Sequence, residues 1–155
     1  MKNFIFAFIA MIMLTGVSFG QYKTDFSAKE KQQLSEQLLE FVKAGKGVYT
    51  DGMTIQQWII GCDFPNPNAP SPNDPLFVQV FNYIKKGASD SEILKGDTTP
   101  LINYTKKVIE NQPDNVPNQP ESYKRKWWQT LINIVIQVVV TILCPECGDV
   151  PPIFP

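Results

Sequence analysis

Histidine is absent from all 155 residues, and cysteine occurs only three times. Without an imidazole, Ser-His-Asp and Cys-His catalysis lose their base. A closed zinc site takes four Cys or His ligands, and three cysteines do not supply them. No glycine-rich stretch has the spacing of a phosphate loop. Charge of one sign is also missing: 14 Lys and Arg face 15 Asp and Glu, so no global basic field attracts nucleic acid. The carboxylates Glu36, Glu40, Asp90 and Glu92 fall at helix positions that read as solvated surface rather than as acid–base pairs. Lys85-Lys86 and Lys106-Lys107 read as solvated faces too. No catalytic, cofactor-binding or metal-ligating residue is identified, which leans the reading away from an enzyme and toward a binding or membrane-active protein.

What is present begins with a secretory leader. Lys2 supplies its positive start, Phe4 to Leu14 its short apolar stretch, and Ser18 and Gly20 the small residues before a cut ahead of Gln21. Residues 1–20 are therefore expected to be removed, leaving a secreted or periplasmic chain of about 135 residues, a suitable size for one compact domain.

Proline is abundant, with 13 residues, and it clusters. DFPNPNAPSPNDP (63–75) and NQPDNVPNQPE (111–121) cannot be helix interiors or central strands, because proline fixes φ and lacks a backbone donor. They read as surface connectors between three helical units, 27–62, 73–110 and 122–143. In the first unit Ser27 and Glu30 fit a capping box. Leu34, Leu38, Phe41 and Val42 follow at helical spacing, and Gly45 suits a left-handed end. Thr54 suits the cap of a second helix carrying Ile55, Trp58, Ile59 and Ile60. In the second unit Asp74-Pro75 marks a helix start. Leu76, Val78, Val80, Phe81 and Ile84 follow, and Gly87 ends it. A brief turn spans Ser89 to Leu94. Thr99-Pro100 opens another helix with Leu101, Ile102, Thr105, Val108 and Ile109 on one face.

The third unit is the most apolar. Residues 131–143 include ten Leu, Ile or Val and no charge. Each such side chain gains roughly 1.5–3 kcal/mol on burial, so the segment must find a core, a partner or a bilayer. Its β-branched content favours a strand, but its length exceeds that of an ordinary strand and favours a helix. Lys124, Arg125, Lys126, Trp127 and Trp128 precede it and resemble an interfacial anchor. A membrane span is disfavoured. Trp127 to Leu143 would give about 25 Å of helix against about 30 Å of hydrocarbon, and the cations lie on the wrong side for a chain exported by a cleaved leader. Gln129, Asn133, Gln137 and Thr141 form a polar stripe, available to oligomerisation through 129–143.

Export favours disulfides. Cys62, Cys144 and Cys147 allow one bridge, either from Cys62 to the C-x-x-C pair or within the pair, and the sequence does not choose. Redox or metal use of Cys144-Pro145-Glu146-Cys147 is the weaker alternative, because a helix's carboxyl end does not stabilise a thiolate. Asn103-Tyr104-Thr105 is a glycosylation sequon. The tail GDVPPIFP reads as flexible, with docking of Ile153 and Phe154 in a groove as the alternative.

The expected fold is mostly α: about five helices packed around the apolar C-terminal helix, with two proline-rich connectors and a C-terminal tail, 144–155. The expected function is that of an exported binding or interaction protein without catalytic machinery or cofactor, its partner an unknown protein or lipid. The alternative is a membrane-active protein that uses 124–143 to bind or enter lipid.

Overall fold

The computed structural model describes residues 22–111 and 124–155. The expected leader and residues 112–121 of the second connector lie outside them. The described residues form helices and no strand: α1 (Ala28–Lys46), α2 (Ile55–Cys62), α3 (Pro75–Lys86), α4 (Asp90–Leu94), α5 (Thr99–Glu110) and α6 (Trp127–Leu143).

Local chemistry accounts for most of the boundaries. Ser27 and Glu30 close a reciprocal capping box on α1, and Thr54 and Gln57 do the same on α2. The Asp74 carboxylate accepts from Leu76 N–H at the start of α3, and Ser89 Oγ accepts from Glu92 N–H on α4. Such caps are each worth about 1 kcal/mol. Gly87 ends α3 in the left-handed region, φ 65°, where only glycine sits without a Cβ penalty.

Gly45 departs from expectation. It lies inside α1, which runs on to Lys46. The indole Nε1 of fully buried Trp58 donates to the Gly45 carbonyl at 2.9 Å. A Cβ on Gly45 would meet Trp58 Cζ2 at 2.7 Å and Ile84 Cδ1 at 2.9 Å. The residue is glycine because three helices converge on it, not because the chain turns there.

Helix α6 packs most extensively on α1 and also on α5. The two long helices run antiparallel. Lys23 N–H, just before α1, donates to Leu143 O at 2.8 Å, while Trp127 at the other end of α6 lies over Gly47. Ile132, Val135, Ile136, Val139, Val140, Ile142 and Leu143 are buried. The greasy segment thus supplies core rather than a span, and no helix among the described residues is long and apolar enough to cross a membrane. Beside it the aromatic rings of Phe41, Trp58, Phe64, Phe77, Phe81 and Tyr104 form a chain of edge-on and tilted pairs, a geometry that adds to plain burial.

The first connector is pinned onto this core. Phe64 stacks against Phe77 at 5.2 Å and Phe154 at 4.9 Å. The buried Tyr104 hydroxyl donates to Asn68 O at 3.0 Å. Desolvation first, then the nearby Asp74 carboxylate, drives the Tyr104 pKa upward, so this hydroxyl remains a donor. Asp74 in turn accepts from Lys107 Nζ at 3.3 Å, which ties the connector's end to α5.

The tail also departs from expectation. Gly148 to Pro155 forms no helix or strand, yet Ile153 is buried and Phe154 is fully so. Both side chains gain more from burial than a free tail would, and Asn133 satisfies the backbone of Phe154.

Candidate contact surface at the start of the last helix

Four of the helices begin on an oxygen-bearing side chain that caps them. Helix α6 begins on Lys126, which has no acceptor to offer. Only half a capping box forms, with Gln129 Oε1 accepting from Lys126 N–H at 2.9 Å. Lys124, Arg125 and Lys126 therefore stand at the positive end of a helix dipole, an arrangement that costs about 0.3–1 kcal/mol for a nearby like charge. A local rule is broken here, and positions where local sequence rules fail are expected at functional or strained sites.

All three cations are exposed, and so is Trp127, with 57% of its surface in water. The Trp127 ring rests on the Gly47 backbone: a Cβ on Gly47 would lie 2.3 Å from Trp127 Cζ2. This contact brings exposed Lys46, at the end of α1, to the same corner. Trp128 sits behind Trp127 at 6.0 Å and nearly perpendicular. It is half-buried, with Lys126 Nζ 5.1 Å above its ring. Its indole Nε1 is buried and has no hydrogen-bond partner. Arg125 Nε donates to Pro155 O at 2.9 Å.

Along α6 the outward side continues from Trp127 through half-buried Leu131 and Val138 and through Ile134, which is 54% exposed. Steps of four, three and four keep these on one face. Ile134 was expected to be covered and is not. Three side chains of the polar stripe, Gln129, Asn133 and Thr141, bond within the chain. Gln129 is buried at the helix start, Asn133 holds the tail, and Thr141 Oγ1 donates back to Gln137 O at 2.9 Å.

The cysteines resolve the open pairing. Cys144 and Cys147 are joined, closing the end of α6, and Cys62 is a buried free thiol. Burial pushes the Cys62 pKa up to about 12, which keeps it protonated and unsuited to nucleophilic or ligand chemistry. Among the described residues no group of three or more His, Cys, Asp or Glu converges as a metal site would require.

The carboxylates singled out in the sequence do not converge. Glu40 pairs with Lys43 at 2.8 Å and Glu92 with Lys86, all near the surface. Lys106 lies over the Tyr22 ring at 5.3 Å, and Asn103 is exposed. Sequence reading missed one feature, an open cleft of about 340 Å³ between α2 and the first connector, lined among others by Ile59, Ile60, Phe64 and Pro70. Ile60, 69% exposed, was taken as part of the apolar face of α2, and only the packing of Trp58 and Ile59 sets it outside.

Comparison with protein-family models, with curated proteins and with solved structures finds no match for this chain.

Proposed function

We propose that the chain is an exported, non-enzymatic binding protein that settles on an anionic lipid surface through the corner formed by Lys46, Lys124, Arg125, Lys126 and Trp127. The observation that carries this reading is the large exposed indole of Trp127 among cations that oppose the dipole of their own helix. Indole rings favour the headgroup level, and Lys and Arg beside them add electrostatic attraction to anionic lipid. Exposed Ile134, with half-buried Leu131 and Val138 beside it, would enter the headgroup boundary while the rest of the helix stays in the protein core. Insertion of the whole helix is the less favoured version, because seven of its Leu, Ile and Val side chains are buried against α1 and α5. The proposed secretory leader and the Cys144–Cys147 bridge suit an exported protein.

Flotation with vesicles tests the reading. Vesicles containing about 30% phosphatidylserine should carry the protein, and pure phosphatidylcholine should not. At about 1 kcal/mol per cation, Lys46→Ala, Lys124→Ala and Lys126→Ala together should weaken binding about 100-fold. Trp127→Ala should abolish the blue shift of tryptophan emission. Equal binding to neutral vesicles, or none to anionic ones, would sink the proposal.

A further inference from the structure

We infer that the cleft between α2 and the first connector is a binding site for a small organic cation, an ammonium group carried on an apolar body. This inference does not rest on the lipid reading. The cleft measures about 340 Å³, within the range of small-molecule sites, about 300–1,000 Å³. Its apolar lining comes from Ile59 and Ile60 on α2 and from Phe64, Ala69, Pro70 and Pro72 on the connector. A singly exposed aliphatic residue is ordinary on a protein surface. Ile60, 69% exposed, instead stands in a concavity whose other walls are also apolar, so one ligand face can cover several of them at once. The walls are held in place before any ligand arrives. Phe64 packs on Phe77 at 5.2 Å, and Tyr104 Oη donates to Asn68 O at 3.0 Å. Asn68 N–H donates to Pro65 O at 2.9 Å. A preformed site of this kind loses little to ordering on binding.

The charge of the cleft selects the ligand. Its polar lining is Gln56 and Asp63, with no Lys or Arg. Asp63 is the residue that ends α2, in the left-handed region with φ 58°. The carboxyl end of a helix carries partial negative charge, so a carboxylate there is disfavoured and a cation is favoured. Asp63 is exposed, and among the described residues no Lys or Arg pairs with it. The α2 dipole and the Asp63 carboxylate therefore present negative potential at one side of an apolar hollow. An ammonium group meets that potential while its hydrocarbon covers Ile60 and the prolines. An anion of the same shape is repelled, and a neutral analogue gains only the apolar contact.

The probe is phenethylamine, titrated into the full-length chain without lipid and followed by amide NMR shifts. Phenethyl alcohol and hydrocinnamate serve as the neutral and anionic analogues. The amine should shift the Ile60, Asp63 and Phe64 amides saturably, with a Kd of about 1 mM for a ligand this small. The alcohol should bind about 5-fold more weakly, the worth of one partly exposed charge pair, and hydrocinnamate more weakly still. Asp63→Asn keeps a side chain that tolerates the left-handed backbone and should erase the preference for amine over alcohol. Ile60→Ser should weaken both ligands about 5-fold. Both positions are exposed, and the wild-type ligand series decides even without the variants. Shifts that do not saturate or that scatter away from the cleft, equal binding of amine and alcohol, or a preference that survives Asp63→Asn would each overturn the proposal.

Discussion

Gly45→Ala tests the convergence of α1, α2 and α3 most sharply. In a solvent-facing helix this change gains about 1 kcal/mol, because alanine loses less backbone entropy on folding. Here the new Cβ would stand 2.7 Å from Trp58 Cζ2 and 2.9 Å from Ile84 Cδ1. The Ile84 methyl can rotate aside. Trp58 has no such freedom: it is fully buried, bonded to the Gly45 carbonyl, and wedged between Phe77 at 6.0 Å and Phe81 at 5.7 Å. Overpacking costs about 1–3 kcal/mol, and displacing the indole donor costs about 1–3 kcal/mol more. The losses exceed the helical gain, and the expected net effect is a destabilisation of about 2 kcal/mol. Urea denaturation followed by circular dichroism reads it as a lower midpoint with unchanged slope. Gly47→Ala is the control. Its Cβ also collides with an indole, that of Trp127, but this ring is exposed and swings into water, so stability should change by only about 0.5 kcal/mol. A Gly45→Ala protein as stable as the wild type, or a costlier Gly47→Ala, would refute the reasoning.

The Cys62 thiol should resist a water-soluble disulfide reagent in the native protein and react once it unfolds. Its folded pKa is raised from the ordinary 9.0 to about 12, so its contribution is intact below the unfolded value and lost as pH rises toward 12. Between those limits only the unfolded chain releases the proton, and wild type should lose about 1.4 kcal/mol per pH unit more than Cys62→Ala in chemical denaturation. Asp74→Ala removes both the cap of α3 and the partner of Lys107 and should cost about 1–2 kcal/mol by thermal melting. Lys107→Ala, whose side chain is largely exposed, should cost less than about 1 kcal/mol. Replacing both Cys144 and Cys147 by serine opens only a short loop and should cost at most about 2 kcal/mol in the same assay.

The helices were legible because their starts and faces are written in short-range chemistry. Ser27 with Glu30, Thr54, Asp74 with Pro75, and Gly87 each announce a boundary that local hydrogen bonding enforces. Helical periodicity likewise placed Leu34, Leu38, Leu101 and Val108 in the core. It could not place residues whose fate depends on what lies opposite. Gly45 looked like a helix end because the nearness of Trp58 is a tertiary fact. Phe77 and Tyr104 lie in the aromatic chain yet fell outside the predicted faces, and Val78 and Ile60 lie on those faces yet are exposed. The tail looked unanchored because the amide that holds it, Asn133, lies 21 residues upstream of Phe154. At the contact surface the sequence named Lys124 to Trp128 as a cluster. That Trp127 faces outward while Trp128 turns in, and that Lys46 joins them over Gly47, required the antiparallel packing of α1 on α6.

The central claim is that the apolar helix is core and that its Trp127 edge is the part we propose to meet lipid. Amide hydrogen exchange across Val135–Val140, with and without anionic vesicles, tests it most directly. These amides should stay protected to the level of global unfolding in both states, while tryptophan emission shifts on binding. Loss of protection in the vesicle-bound protein would mean that the helix leaves the core for lipid, contradicting the account.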